Sequence, residues 1–271
     1  MMTQRLTALN VWKRNTRKHA WLVWFAWLIT IAAFIVTWRI MNQNTLWFFL
    51  ADAPEQIRDL GGRMFPPSWS YINSLWGPLW DTLNIATLGT LIGIVIAVPI
   101  AFLAARNTTP SRRFVRPLAL LVIVASRSIN SLIWALLLVA MLGPGLLAGV
   151  IAIALRSIGF IGKLMYEAIE EIDASQIEAI EATGASLMQR LDYGIVPQIL
   201  PTFFGVTVFR WDINIRESTI LGLVGAGGIG LQLQAALNTL AWPRVTMIFV
   251  VILGTVVVSE WVSSKVRNAI R

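Results

Sequence analysis

The sequence contains no cysteine and a single histidine. The first absence removes disulfides, thiolate nucleophiles and sulfur-ligated metals. The second removes a zinc cage or a catalytic relay, because His19 stands alone in a basic run near the N-terminus. Charge is scarce as well: charged residues make up 13% of the 271, where a soluble domain carries roughly a quarter. No two carboxylates sit at one depth in the apolar runs, so an intramembrane enzyme lacks its usual acid and base. A clear internal repeat, which an ion-coupled secondary carrier would need, is also missing.

What the chain has in quantity is apolar length. Hydrophobic residues make up 56% and the mean hydropathy is +0.69, so the fold class is all-α and the protein polytopic in a membrane. Six runs stand out, at about 20–37, 79–105, 117–142, 146–165, 202–224 and 245–262. Each is long enough to cross a hydrocarbon layer about 30 Å thick. The first is too long for a signal-peptide core, and Thr37-Trp38-Arg39 is no cleavage site, so it reads as a retained helix. Pro99 lies inside the second run, Ser126 to Ser131 interrupt the third, and Gly143-Pro144-Gly145 form a tight turn after it. The polar segment 41–76 carries Pro54, Pro66 and Pro67, with a short helix expected at Glu55–Leu60.

The net charge of +8 does not imply nucleic acid, because Lys and Arg cluster beside the runs. Five precede the first run, four follow the second and three end the chain, against Arg58, Arg63 and Arg244 on the other side. Both termini are therefore expected in the cytoplasm. The loop after the fourth run breaks this trend, carrying Glu167, Glu170, Glu171, Asp173, Glu178, Glu181 and Asp192. An acidic loop on the basic side reads as a surface for a partner. Its pattern, Glu178 to Pro201, is a helix–turn–helix. Ser175 with Glu178 forms a capping box for a helix from about Gln176 to Thr183, and Gly184 ends it in the left-handed conformation. Ser186 with Gln189 starts a second short helix, and Pro197 and Pro201 lead into the fifth run.

These residues resemble the loop of ABC-importer membrane subunits. Glu178-Ala179-Ile180, Gly184 and Pro197 match the Glu-Ala-Ala, glycine and Ile-x-Leu-Pro signature, with departures at Ile180, Gly194 and Val196. Tyr193-Gly194-Ile195-Val196-Pro197-Gln198 resembles the phosphonate branch, as does Phe65-Pro66-Pro67 before the second run. Gly222 to Gly230 is similar to the element after the penultimate core span in methionine, osmolyte and phosphonate importers. It lacks the preceding strand and the Lys-Ser/Thr ending of a nucleotide loop. The resemblance implies a type I ABC importer permease fold over residues 77–271. Residues 1–76 then hold the N-terminal tail, the first span and a periplasmic segment. It implies no enzymatic activity and no cofactor in this chain, with ATP and magnesium bound by a separate ATPase. It further implies a second copy of the chain, two cytoplasmic ATPase subunits, an extracellular or periplasmic substrate-binding protein, and a bacterial inner-membrane location. Ser175, Glu178, Ala179, Glu181, Gly184 and Pro197 would couple to the ATPase, and Gly225, Gly227 and Gly228 would lie at the outer gate.

Arg127, Arg156 and Arg210 each fall near the middle of a different run. A mid-span arginine costs about 2.5–3.5 kcal/mol on insertion scales, so these residues must face protein or a water-filled path. Internal pairing is one solution, since Asp212 and Arg216 are four apart on one helix face and Glu217 is free to take another arginine. Counting Arg216, four mid-span arginines face two carboxylates, an excess of two positive charges. That excess suits a phosphonate, phosphite or phosphate-ester oxyanion, with Arg127, Arg156 and Arg210 and the neutral donors Ser126, Ser128 and Asn130 lining the path. The alternative within the family is methionine or a quaternary amine held by some of the thirteen tryptophans, though tryptophan also gathers at bilayer interfaces.

Overall fold

The computed structural model describes residues 17–270; Arg5, Lys13, Arg14 and Arg271 lie outside them. The described residues form helices joined by short turns, with no strand among them. The chain divides into two compact units, residues 1–59 and 60–271.

In the first unit, α1 runs from Arg17 to Asn44. It exceeds the apolar run because polar residues at both ends continue the helix. It is apolar on all sides, as a helix that crosses a membrane is, rather than amphipathic. α2, Trp47–Met64, replaces the expected short helix at Glu55–Leu60; it begins in the aromatic Trp47-Phe48-Phe49 and takes in Pro54.

The second unit holds the bundle. After a single 3₁₀ turn come α3 (Ile72–Ala104), α4 (Val115–Ser128), α5 (Ser131–Leu142) and α6 (Leu146–Glu170). Two short helices follow, α7 (Ala174–Ala182) and α8 (Leu187–Arg190), and a π-turn leads into α9 (Val196–Leu221). α10 (Ile229–Asn238) and α11 (Trp242–Ile270) complete it. α1, α3, α6 and α11 are each long and apolar enough to cross a bilayer. α4 and α5 qualify only together, bent by 87° at the polar interruption, and the segment Leu187–Val224 pairs with α10 at a 42° bend. Counting each bent pair as one span gives six. α9 starts before its apolar run because Pro197, in the first turn, gives up no hydrogen bond there.

α6 is the centre of this unit: 61% of its apolar stretch is buried, against 39% for α3 and 28% for α11. Small residues bring it there. A Cβ on Gly89 or Gly93 of α3 would stand 2.7 Å from Ile153 or Ser157 of α6. On the other side, a Cβ on Gly159 of α6 would stand 2.7 Å from the Ile123 carbonyl of α4. In lipid, where tails are as apolar as leucine, such backbone approach is a main source of helix association.

Candidate permease site and partner loop

A polar seam crosses the core where α3, α6 and α9 meet. Arg210, 2% exposed, donates through Nε to Ser157 Oγ at 3.1 Å and lies over the Phe160 ring. Asn214 Nδ2 donates to the same serine at 3.0 Å and to Thr90 Oγ1 at 2.7 Å. The other edge of Arg210 faces Glu217, with Nη1–Oε1 at 3.4 Å and Nη2–Oε2 at 3.3 Å, a two-pronged pair two turns along α9. Arg156 of α6 adds a second guanidinium, its Nε 3.7 Å from Glu217 Oε1. Nη1 of Arg156 also donates to the Ile129 carbonyl at 3.1 Å and the Arg127 carbonyl at 3.4 Å, which serves the free end of α4 at the break.

A second cluster joins α9 to α11. Asp212 is buried, pairs with Arg216 as the four-residue spacing predicts, and accepts from Ser259 Oγ at 2.7 Å. Arg216 also reaches Glu260, 3.7 Å away. Glu260 lies two residues from the end of the last apolar run, so Arg216 has one carboxylate partner at mid-span and another near the membrane edge. Of the four mid-span arginines, Arg127 is the one with no carboxylate partner among the described residues; it is exposed at the last turn of α4.

The neutral donors expected around Arg127 all have local work. Ser126 Oγ donates to the Leu155 carbonyl and accepts from Gly159 N at 2.8 Å, which ties α4 to α6. Ser128 Oγ returns to the Val124 carbonyl at 2.8 Å. Asn130 caps α5, accepting from Leu132 N at 3.1 Å. Arg156 links the surroundings of Arg127 and Arg210, touching the carbonyl of one and the carboxylate held by the other. Ser157, Asn214 and Ser259 were missed because a short polar side chain in an apolar run says nothing about which helix it faces.

The acidic loop folds as two short helices, with one correction at its start. The cap of α7 is Asp173, not Ser175: the Ser175 hydroxyl and amide both donate to the Asp173 carboxylate, at 2.8 and 2.9 Å. These bonds hold the Asp173 carboxyl below its ordinary range, the hydroxyl contributing most. The Ser-x-x-Glu spacing fits the box template, but an acceptor two residues earlier reached the free amide first. The second box forms as read, with Ser186 and Gln189 bonded reciprocally. Gly184 has φ +78°, and Glu178, Ala179 and Pro197 are exposed. Glu181 pairs with Arg190 across the turn. Ile177 and Ile180 turn inward onto Gly194, where a Cβ would stand 3.2 Å from Ile180 Cδ1. Two of the three departures from the loop signature, Ile180 and Gly194, are therefore one contact, with the bulk on the opposite partner.

At the far end of α9 the chain turns through Gly225, Gly227 and Gly228, all with positive φ. Gly145 N donates to the Gly225 carbonyl at 3.0 Å, so this turn is sewn to the turn between α5 and α6. Thr82 Oγ1 accepts from Ile229 N at 2.8 Å, close enough that a Cβ on Gly228 would strike it.

Comparison with known proteins agrees with this architecture. The chain is 41% identical over 212 residues to the phosphite transport system permease protein PtxC of Stutzerimonas stutzeri, covering 78% of this chain and 77% of that one. It is 40% identical over 237 residues to the phosphate-import permease protein PhnE of Mycolicibacterium smegmatis, covering 88% of this chain and 44% of that longer one. Among solved structures, an inward-facing form of the MetNI methionine ABC transporter matches with a TM-score of 0.65 at 21% identity, over 75% of this chain and 99% of that one. That likeness establishes the shared fold of ABC importer permeases. Residues 93–267 match the binding-protein-dependent transport system inner membrane component family, and the chain belongs to it.

Proposed function

We propose that this permease moves a phosphonate-like oxyanion (a phosphonate, phosphite or phosphate ester) by alternating access. Two copies of the chain form the path, within residues 77–271 of each, and residues 1–76 form a separate N-terminal part. An external binding protein delivers the substrate. Two ATPase subunits, which bind the ATP and magnesium, dock on the loop from α7 to α8, and both chain termini share their side of the membrane. Closure of the ATPases pulls on Glu178 to Gly184 and tilts the spans; the glycine turn at Gly225 to Gly228 sits at the outer gate.

The observation that carries the substrate is the arginine excess beside the broken span. Arginine presents a planar fork of donors that matches phosphoryl oxygens, and a cationic substrate would be repelled. Arg127, whose guanidinium has no carboxylate partner among the described residues, meets the anion first, and Arg156 and Arg210 follow. The substrates named for two similar relatives, phosphite and phosphate, have this chemistry. The test is uptake in a reconstituted transporter with its binding protein. Arg127→Gln and Arg210→Gln should each lower phosphite uptake about tenfold or more, the loss of one charge-assisted contact, while ATPase assembly is kept. Unchanged uptake in both variants, or efficient uptake of a quaternary amine by the parent, would remove the oxyanion reading.

A further inference from the structure

We infer that Glu217 is a built-in stand-in for the transported anion, occupying the arginine fork whenever substrate does not. The inference rests on the oxyanion reading above and adds to it a competitor inside the site. The geometry is that of a bound ligand. Both carboxylate oxygens face both terminal nitrogens of Arg210, at 3.3 and 3.4 Å, and one oxygen also faces Arg156 Nε at 3.7 Å. Two guanidinium groups on different helices thus converge on one carboxylate. A tetrahedral phosphoryl oxyanion offers three oxygens and up to two charges to the same fork.

The exposures give the direction of exchange. Arg210 is 2% exposed and fixed from behind by Ser157 and Phe160, whereas Glu217 is 21% and Arg156 30% exposed. Arg210 is the fixed wall of the fork and Glu217 its removable side. An arginine in a membrane interior without an anion is costly, so the pair needs a counter-charge in every state of a transport cycle. Substrate supplies it while bound; Glu217 supplies it before arrival and after departure. A site of two arginines alone would hold a divalent oxyanion too firmly to let it go. With a tethered carboxylate waiting, release is an exchange of one anion for another.

The test uses the purified complex of permease and ATPase in detergent, without binding protein, and equilibrium binding of radiolabelled orthophosphate with phosphite as competitor. Glu217→Gln keeps the shape and removes the charge. It should bind orthophosphate at least tenfold more tightly than the parent, while uptake with binding protein falls because release slows. Adding Arg210→Gln to that variant should abolish the gain. Glu217→Asp keeps the charge but withdraws it by one methylene, and should show an intermediate gain; it also serves if Glu217→Gln does not assemble. Parental affinity in an assembled Glu217→Gln complex overturns the inference, as does parental affinity in Glu217→Asp where Glu217→Gln fails. If the parent takes up phosphite and neither variant tightens binding, the stand-in is wrong and the substrate reading survives. If the parent takes up no phosphoryl oxyanion, yet Glu217→Gln gains Arg210-dependent affinity for it, the stand-in holds and the substrate reading fails.

Discussion

Gly184 has room for a side chain but a backbone that resists one. Its φ is +78°, and nothing lies within 4 Å of where a Cβ would stand. A β-branched residue there costs about 1–2 kcal/mol through conformation alone. Gly184→Val should insert normally yet abolish transport-coupled ATP hydrolysis, while Gly184→Asn, which tolerates the left-handed region, should retain most of it. Because the site is open on this chain, any added loss in the valine variant reports contact with the ATPase. Glu178→Lys reverses an exposed charge and should weaken co-purification of the ATPase. Normal hydrolysis and assembly in both Gly184→Val and Glu178→Lys would rule out docking on this loop. Asp212 offers a different test. Ser259→Ala removes the donor to its buried Oδ1 and should destabilise the bundle by about 1–3 kcal/mol, read as a lower thermal midpoint in detergent. An unchanged midpoint would mean that the carboxylate finds another donor.

Among the elements, α7 is set by two contacts. Gly194→Ile alone should push Ile180 away and dislodge α7, and adding Ile180→Ala should restore ATPase docking, because bulk is returned to the other side of the same contact. A double-mutant cycle should give a coupling of about 0.5–3 kcal/mol; additivity would mean the pair does not position α7. The Asp173 cap should be sensitive to acid. Its carboxyl is held below the ordinary range in the folded loop, so the cap's contribution is complete above that range and is lost as pH falls through the lowered value. Amide protection factors in α7, taken relative to the intrinsic rate at each pH, should therefore fall severalfold below about pH 4, and Asp173→Asn should erase that dependence. Much of this loop was legible in the sequence, because Gly184, Ser186 and Gln189 act on neighbours within a few residues. The break at Ser126 to Ser131 was legible for the same reason. Helix ends were not, since hydropathy falls at the interface while the backbone ladder continues through polar residues, as at Arg17 and Glu170. Nor were the serine partners of Arg210 and Asp212, because Ser157 and Ser259 come from helices 53 and 47 residues away.

For the whole molecule, orientation is the first test. A periplasm-active reporter fused after Asn44 should be active and one after Arg271 silent; the reverse would place the α7–α8 loop on the wrong side for an ATPase. The glycine contacts of α6 bear on how the bundle moves. Gly89 and Gly93 lock α3 to it on one face, and Gly159 locks α4 on another, each with backbone or branched side chain where a Cβ would go. Surfaces meshed this closely leave little slack for sliding, so α3, α4 and α6 should move as one body. Shear is left to α9 and α11, whose link runs through Asp212, Ser259, Arg216 and Glu260, groups able to trade partners. Spin labels can read this directly, since the chain offers no native thiol to compete. Between nucleotide-free and ATP-trapped states, distances across α3 and α6 should hold to about 1–2 Å, while those from α6 to α11 change by more.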